Sequence, residues 1–358
     1  MKKKMIMALT LAVSICFAQG AGMLVSAEEP EAEYEFDELY QRLPFSDAFP
    51  LEDGEIEIDG KTDTITIGFV QTALNHGWRV AMNESMEAQC ERFPNVELII
   101  LDGEADATKQ GNCIEDLIAQ EVDAIILSPM DSVSFDNASQ KVVDAGIPLI
   151  VLDRDINNEN KTVYIGQSNY AIGYAIGQQL AEDFGGKAKV VELAGNVGNA
   201  VTIDRSQGFA DAVAEYPDIE IIASGDAEFL RDPASALMDD YLMAYDEIDA
   251  VYSHAEESAW GAALAIERAG RSGDGILQYT IDASNEGFRS VESGEFAADG
   301  NYTPYIGQVG VRAALYVLMG RELEGTESYE YGTRYTLPEM PIVTQENVSE
   351  WLETGWGE

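Results

Sequence analysis

The residues best equipped to hold a small molecule fall just past the ends of short apolar runs. Gln71, Thr72, Asn75, His76, Trp78 and Arg79 follow the first run, and Asp153 and Arg154 follow the fourth. Farther along come Asn196, Asn199 and Arg205, then Phe229, then His254 to Glu257, then Asp282. Carboxylates accept hydrogen bonds from hydroxyls, guanidinium groups donate to them, and an aromatic ring covers an apolar C–H face. That set suits a polyhydroxylated ligand. It holds no nucleophile paired with a base. Its acids stand beside Arg rather than as two opposed carboxyls with one kept protonated, so an enzyme acting on glycosides is not expected. Two His in the whole chain, and three Cys without Cys-x-x-Cys spacing, leave no basis for a metal site or any cofactor. The Gly195-x-x-Gly198 turn lacks the Gly-x-Gly-x-x-Gly spacing of a dinucleotide site and reads as a tight strand-to-helix turn.

Scattered so widely, these side chains need a frame that gathers them. Apolar runs at 65–70, 96–101, 124–127 and 149–152 alternate with amphipathic stretches at 80–92, 106–120 and 135–145. The runs are nearly continuous, as in parallel strands covered by helices on both faces. The rhythm then restarts. Helices at 169–183, 200–215, 233–245 and 256–269 alternate with strands at 189–193, 219–223, 250–252 and 276–281. The pattern predicts an α/β protein of two doubly wound parallel-sheet lobes. Ligand groups in such sheets collect beyond the carboxyl ends of the strands, which is where the candidates lie.

With 358 residues, 46% of them hydrophobic, the chain can build two such cores. Its 65 acidic residues outnumber 21 Lys and Arg, for a net charge of −44. A field of that sign argues against nucleic acid and against anionic lipid as partners. The start, Met1-Lys2-Lys3-Lys4, an apolar run to Phe17, and Val25-Ser26-Ala27 before two Glu, has the form of a secretory leader covering residues 1–27. Its removal would take three lysines and no acid, carrying the charge from −44 to −47. Cys16 follows Ile15 rather than a small residue, and reads as an ordinary part of that leader. An extracytoplasmic location follows.

Residues 28–63 are acidic and interrupted by Pro30, Pro44 and Pro50. They are read as a solvated spacer, although Tyr34, Phe36, Tyr40, Leu43 and Phe45 could form a docking segment. Cys90 and Cys113 lie on successive crossover helices. With strand order 2-1-3, right-handed crossovers place those helices on opposite faces of the sheet, so two buried free thiols are expected.

The motifs, in order, resemble a known family. Ile67-Gly-Phe-Val-Gln71 followed by Gly77-Trp78-Arg79 is similar to the first ligand loop of the periplasmic sugar-binding proteins of ABC importers. Leu152-Asp153-Arg154 resembles that family's Asp-Arg pair. Val191-Glu-Leu-Ala-Gly-Asn-Val-Gly198 running into Ile203-Asp-Arg205-Ser-Gln-Gly-Phe209 is the strongest match. Val251-Tyr-Ser-His254, Ile281-Asp282, Gly294-Glu295 and Asn301-Tyr302-Thr-Pro304 continue it, so the likeness spans residues 64–345. It is to the ribose-binding-like group, and within that to the galactofuranose-binding type.

The resemblance implies the type I periplasmic binding protein arrangement, two lobes joined by a three-segment hinge around one monosaccharide. The lobes would be 64–166 plus 302–334 and 168–301 plus 336–352, with crossings near 167–168, 301–302 and 333–336. Gln71 and His76 would belong to the first ligand loop. Trp78 would stack on the sugar and Arg79 donate to it, Asp153 and Arg154 would clamp adjacent hydroxyls, and Arg205, Phe229 and Asp282 would close from the second lobe, beside Tyr302. Phe229 could equally fill the core. His254 reads as an imidazole satisfied by neighbouring backbone. The chain departs from the family at Ala255, where an Asn amide would bond the sugar; either the ligand lacks a hydroxyl there, or Glu256, Tyr302 or water replaces the contact. Partners would be the monosaccharide and ABC permease subunits, with the protein a monomer; a sensory module presenting sugar to a membrane receptor or kinase is the alternative. Asp153→Ala and Arg205→Ala would each abolish ligand-induced stabilisation and leave the unliganded protein nearly as stable as before.

Overall fold

The computed structural model describes residues 41–357. Its first half alternates β1 (Ile65–Gln71), α1 (Gly77–Glu91), β2 (Val96–Asp102), α2 (Ala107–Ala119), β3 (Ala124–Leu127), α3 (Asp136–Ala145), β4 (Leu149–Leu152) and β5 (Val163–Gly166). The second half continues with α4 (Asn169–Asp183), β6 (Lys187–Ala194), α5 (Ala200–Val213), β7 (Asp218–Asp226), α6 (Arg231–Ala244), β8 (Ala250–Ser253), α7 (Glu256–Arg268), β9 (Leu277–Ile281), α8 (Asn285–Ser293) and β10 (Ala298–Gly300). The chain then adds α9 (Ile306–Leu318), β11 (Glu327–Tyr329), β12 (Gly332–Thr336) and β13 (Ile342–Thr344).

Local chemistry sets these boundaries. Asp106, Ser168, Asn199 and Ser284 each accept a first-turn N–H at a helix start. Gly146 and Gly294 end α3 and α8 in the left-handed conformation that costs glycine no Cβ clash. The central strands β3, β4 and β8 are buried along their whole length, because helices cover both faces of their sheets.

Two sheets result. One has the order β11-β12-β5-β4-β3-β1-β2, the other β13-β10-β9-β8-β6-β7. All pairings are parallel except β11 with β12 and β10 with β13. The chain passes from the first sheet to the second after Gly166 and returns after Gly300, where α9 packs on α1. The third passage differs from the expected 333–336. Thr336 still pairs with Gly166 and the Leu337 N–H still bonds the Gly166 carbonyl, so the chain leaves the first sheet only at 337–341. The β2-β1-β3 order sets α1 and α2 on opposite faces, with Cys90 and Cys113 buried and free. Burial pushes the Cys90 thiol up to about 12, where it is unreactive at neutral pH.

The leader at 1–27 and residues 28–40 lie outside the described residues. The remainder of the acidic stretch corrects the spacer reading. Leu43, Phe45, Ala48, Phe49 and Ile56 are buried in the same apolar cluster as β1 and α9. Arg312 on α9 donates to the Ser46 carbonyl (2.7 Å), Tyr316 donates to the Pro50 carbonyl (2.8 Å), and Phe49 packs against Tyr316 and Tyr335. The acidic residues between these anchors face water, which is why composition alone suggested a free strap.

Candidate functional site

The carboxyl ends of both sets of strands face a common gap. At the end of β1 the chain turns into α1 through His76, whose extended backbone and ring Nδ1 cap the helix by accepting the Trp78 N–H at 3.1 Å. That cap buries Trp78 and Arg79 in the first turn, both pointing into the gap. At the end of β4, Asp153 takes a left-handed φ of 66°, and Arg154 follows. Across the gap, Glu228 and Phe229 take left-handed φ values of 57° and 61° after β7. The Phe229 ring lies so close over Gly195 that a Cβ there would sit 1.9 Å from it.

The result is a small hollow bounded by residues from both sets of strands. Nine of the ten residues that the resemblance assigns to the ligand site line it: His76, Trp78, Arg79, Asp153, Arg154, Arg205, Phe229, Asp282 and Tyr302. Gln71 does not. Its side chain turns back into the first lobe, donating to the Arg79 carbonyl (3.2 Å) and to Asn83 Oδ1 (3.0 Å). It therefore holds the start of α1 in place rather than facing the gap. Val201 and Ala255 complete the lining. Ala255 is the position at which the chain departs from the family's Asn; Val201 carried no signal, since an apolar side chain at a helix start has the same look as a core residue.

The aromatic and charged groups brace one another. Trp78 stacks on Tyr302 (centroids 5.5 Å apart, planes at 21°) and donates through Nε1 to the Tyr302 carbonyl at 3.0 Å. The Tyr302 hydroxyl donates to Asp153 Oδ1, and Arg154 Nε stands 3.4 Å from Asp153 Oδ2. Arg205 is fully buried and held on two sides, donating through Nε to Asn169 Oδ1 (2.9 Å) and through Nη1 to the His254 carbonyl. Its guanidinium also lies 4.6 Å from the Tyr302 ring centroid. This corrects the expectation that Arg205 is dispensable to the unliganded fold. His254 is satisfied by the Gly195 N–H at Nδ1 (3.2 Å) and by Glu192 at Nε2 (3.0 Å).

Electrostatics leave several groups uncommitted. Burial, then Arg79, Arg154 and Arg205, push His76 down to about 3, with the nearby Phe229 backbone weakly opposing. The ring is therefore neutral, and because Nδ1 accepts, Nε2 carries the proton. Burial and the neighbouring Arg154 push Arg79 down to about 9. Burial, then Glu256, hold Asp282 well above the usual carboxylate range. His76 Nε2, Arg79 Nη1, Arg154 Nη1 and Asp282 Oδ2 are buried without a hydrogen-bond partner in the protein. Buried polar groups are ordinarily paired, so four that converge on one hollow are arranged to bond a guest. Glu256 does not join them. Its Oε1 accepts the Ser284 N–H at 2.8 Å, and burial beside Asp299 raises its pKa. It points into the second lobe and cannot stand in for an amide at Ala255.

Comparison with known proteins gives a consistent picture. A periplasmic binding protein domain model matches residues 67–322. The galactofuranose-binding protein YtfQ of Escherichia coli K12 is 33% identical over 248 residues, 67% of this chain and 78% of that one. A solved periplasmic component of the arabinose ABC transporter from Shewanella sp. ANA-3, bound to α- and β-L-arabinofuranose, is 28% identical with a TM-score of 0.74, covering 80% of this chain and 94% of that one. The fructose-binding periplasmic domain of a hybrid two-component system is 29% identical with a TM-score of 0.74, over 80% and 93% of the two chains.

Proposed function

We propose, for a chain that belongs to the periplasmic binding protein domain family, that it captures a monosaccharide between its two lobes and delivers it to an ABC permease. Members of this family bind rather than transform their ligands, and the hollow offers no nucleophile with a base. The observation that carries the proposal is the set of four unpartnered polar groups, three from the first lobe and Asp282 from the second, around one hollow walled by Trp78, Tyr302 and Phe229. Hydroxyls satisfy such donors and acceptors, and rings cover C–H faces. A sugar touching both lobes favours the closed arrangement, because only that arrangement makes both sets of contacts. The galactofuranose and arabinofuranose ligands of the relatives support a small sugar of five or six carbons. Export through the leader at 1–27 would place the protein where such ligands arrive.

A thermal-shift screen against monosaccharides tests this. At a hundredfold excess over Kd the right sugar stabilises by about 2.7 kcal/mol. No shift with any pentose or hexose would defeat the proposal. The two-component relative favours a second reading, in which the same closed form is read by a membrane kinase. A permease and ATPase gene pair beside this gene favours import; a sensor kinase gene there favours signalling.

A further inference from the structure

One stretch of the hollow's wall is apolar. Val201, Phe229 and Ala255 form an apolar cluster of their own within the second lobe, and all three line the hollow. They are 4%, 8% and 1% exposed, so the patch is buried as well as apolar. The unpartnered donors belong to His76, Arg79 and Arg154 of the first lobe, and the second lobe adds only Asp282 Oδ2. Arg205, the cation that the second lobe adds to the lining, spends its Nε and Nη1 on Asn169 and His254.

Ala255 also stands where helix stability alone would put another residue. It is the N-cap of α7 and makes no side-chain cap. Ser, Asn and Asp are strongly preferred at that position because they bond a first-turn N–H. Two neighbouring helices that open on the same hollow carry such caps, His76 on α1 and Asn199 on α5. A polar side chain at 255 would stabilise α7 and would also project into the hollow. Glu256, one residue on, is turned away toward Ser284 and Asp299.

We infer that this patch selects a deoxy sugar, one whose carbon against Val201, Phe229 and Ala255 bears hydrogen or methyl rather than hydroxyl. The inference rests on the sugar-binding reading and names its ligand class. A hydroxyl pressed on Val201 and Ala255 loses its water and finds no partner in those side chains, whereas a methyl group is favoured by apolar burial. The other ring positions would still meet Arg79, Arg154, Asp153 and Asp282, so the ligand remains a sugar and not an apolar molecule.

Calorimetric titration of matched pairs tests the inference: D-galactose with D-fucose, L-mannose with L-rhamnose, D-glucose with 6-deoxy-D-glucose, and D-ribose with 2-deoxy-D-ribose. For the pair that fits best, the deoxy member should bind about tenfold tighter, equal to about 1.4 kcal/mol. Ala255→Asn should shrink or reverse that ratio, and its unliganded melting curve shows that it is folded. Val201→Thr, which keeps the side chain's size, should move the ratio the same way. Parent sugars binding as tightly as their deoxy partners, or tighter, would overturn the inference and leave the sugar-binding reading standing. No binding by any member would overturn both.

Discussion

His76 Nε2 and Asp282 Oδ2 face each other across the two lobes at 4.0 Å, one atom from the first loop of the first sheet and one from the end of β9. Neither has a hydrogen-bond partner in the protein. The separation is too long for a hydrogen bond between them. One hydroxyl placed against both could accept from the imidazole and share a hydrogen bond with the Asp282 carboxyl group, tying the lobes together. His76 has a second task at Nδ1, the cap on α1.

Two substitutions separate these tasks. His76→Asn keeps a capping side chain and removes the Nε2 donor. It should weaken sugar binding by roughly two- to tenfold, the worth of one net hydrogen bond, and leave the unliganded melting temperature unchanged. His76→Ala should lose the cap as well, lowering unliganded stability by about 1 kcal/mol. Calorimetry and thermal melts read the two effects; equal affinity in wild type and His76→Asn would remove His76 from the ligand site.

Arg205 and Arg79 should behave differently although both line the hollow. Arg205 is anchored by Asn169, His254 and the Tyr302 ring, so Arg205→Ala leaves buried acceptors unpaired. Breaking such an arrangement should cost about 2 kcal/mol or more of unliganded stability in addition to affinity. Arg79 keeps Nη1 uncommitted. Arg79→Met, which preserves the stem, should lose affinity while the unliganded melt stays within about 0.5 kcal/mol of wild type. Urea denaturation of both variants without sugar decides, and similar losses in the two would show that the distinction is false.

Much of this frame was readable from residue order. The apolar runs that became β1, β3, β4 and β8 are continuous and alternate with amphipathic helices, and residues just beyond them reach the gap. Other features carried no comparable signal. Strand β5 follows β4 with no helix between them, so the alternating rhythm does not mark it, and β12 (Gly-Thr-Arg-Tyr-Thr) is half-buried at the side of its sheet and shows no apolar run. Gln71 was misplaced because the last residue of a strand can face either side of the turn, and only the Arg79 carbonyl and Asn83 show which. The acidic stretch misled because its average composition hides Leu43, Phe45 and Phe49, whose value lies in reaching α9.

A buried acid pair gives the fold a measurable pH response. Glu256 and Asp299 both pack against Gly287, where a Cβ would sit 1.9 Å from Glu256 Oε1 and 2.8 Å from Asp299 Oδ2. Burial pushes Asp299 up to about 7 from an ordinary 3.8. In the unfolded chain it ionises from about pH 4, while the folded protein resists until about 7. Its contribution to stability is therefore complete at low pH and is lost as pH rises through that window. Asp299→Asn cannot ionise, so its stability relative to wild type should climb from pH 4 to 7 and then level off. His76 works the other way, losing stability below its ordinary 6.5, so the difference between the two proteins is the informative quantity. Melting curves at four or five pH values give it, and a pH-independent difference would rule out a buried, titrating Asp299.

The segment before β1 offers the sharpest test of the packing. Phe45 is 1% exposed and sits in the cluster formed by β1, α1 and α9. Removing a buried Phe side chain costs about 3–5 kcal/mol. Phe45→Ala should therefore lower the urea midpoint markedly, although the residue precedes the first sheet strand by twenty positions. Phe49→Ala should do likewise, because its ring is wedged between Tyr316 and Tyr335. Glu52→Ala, on the exposed side of the same stretch, should change stability by less than about 0.5 kcal/mol. Sugar affinity should survive in the folded fraction of all three, since none of these residues lines the hollow. Midpoints unchanged in Phe45→Ala and Phe49→Ala would return the segment to the solvated strap that its composition suggests.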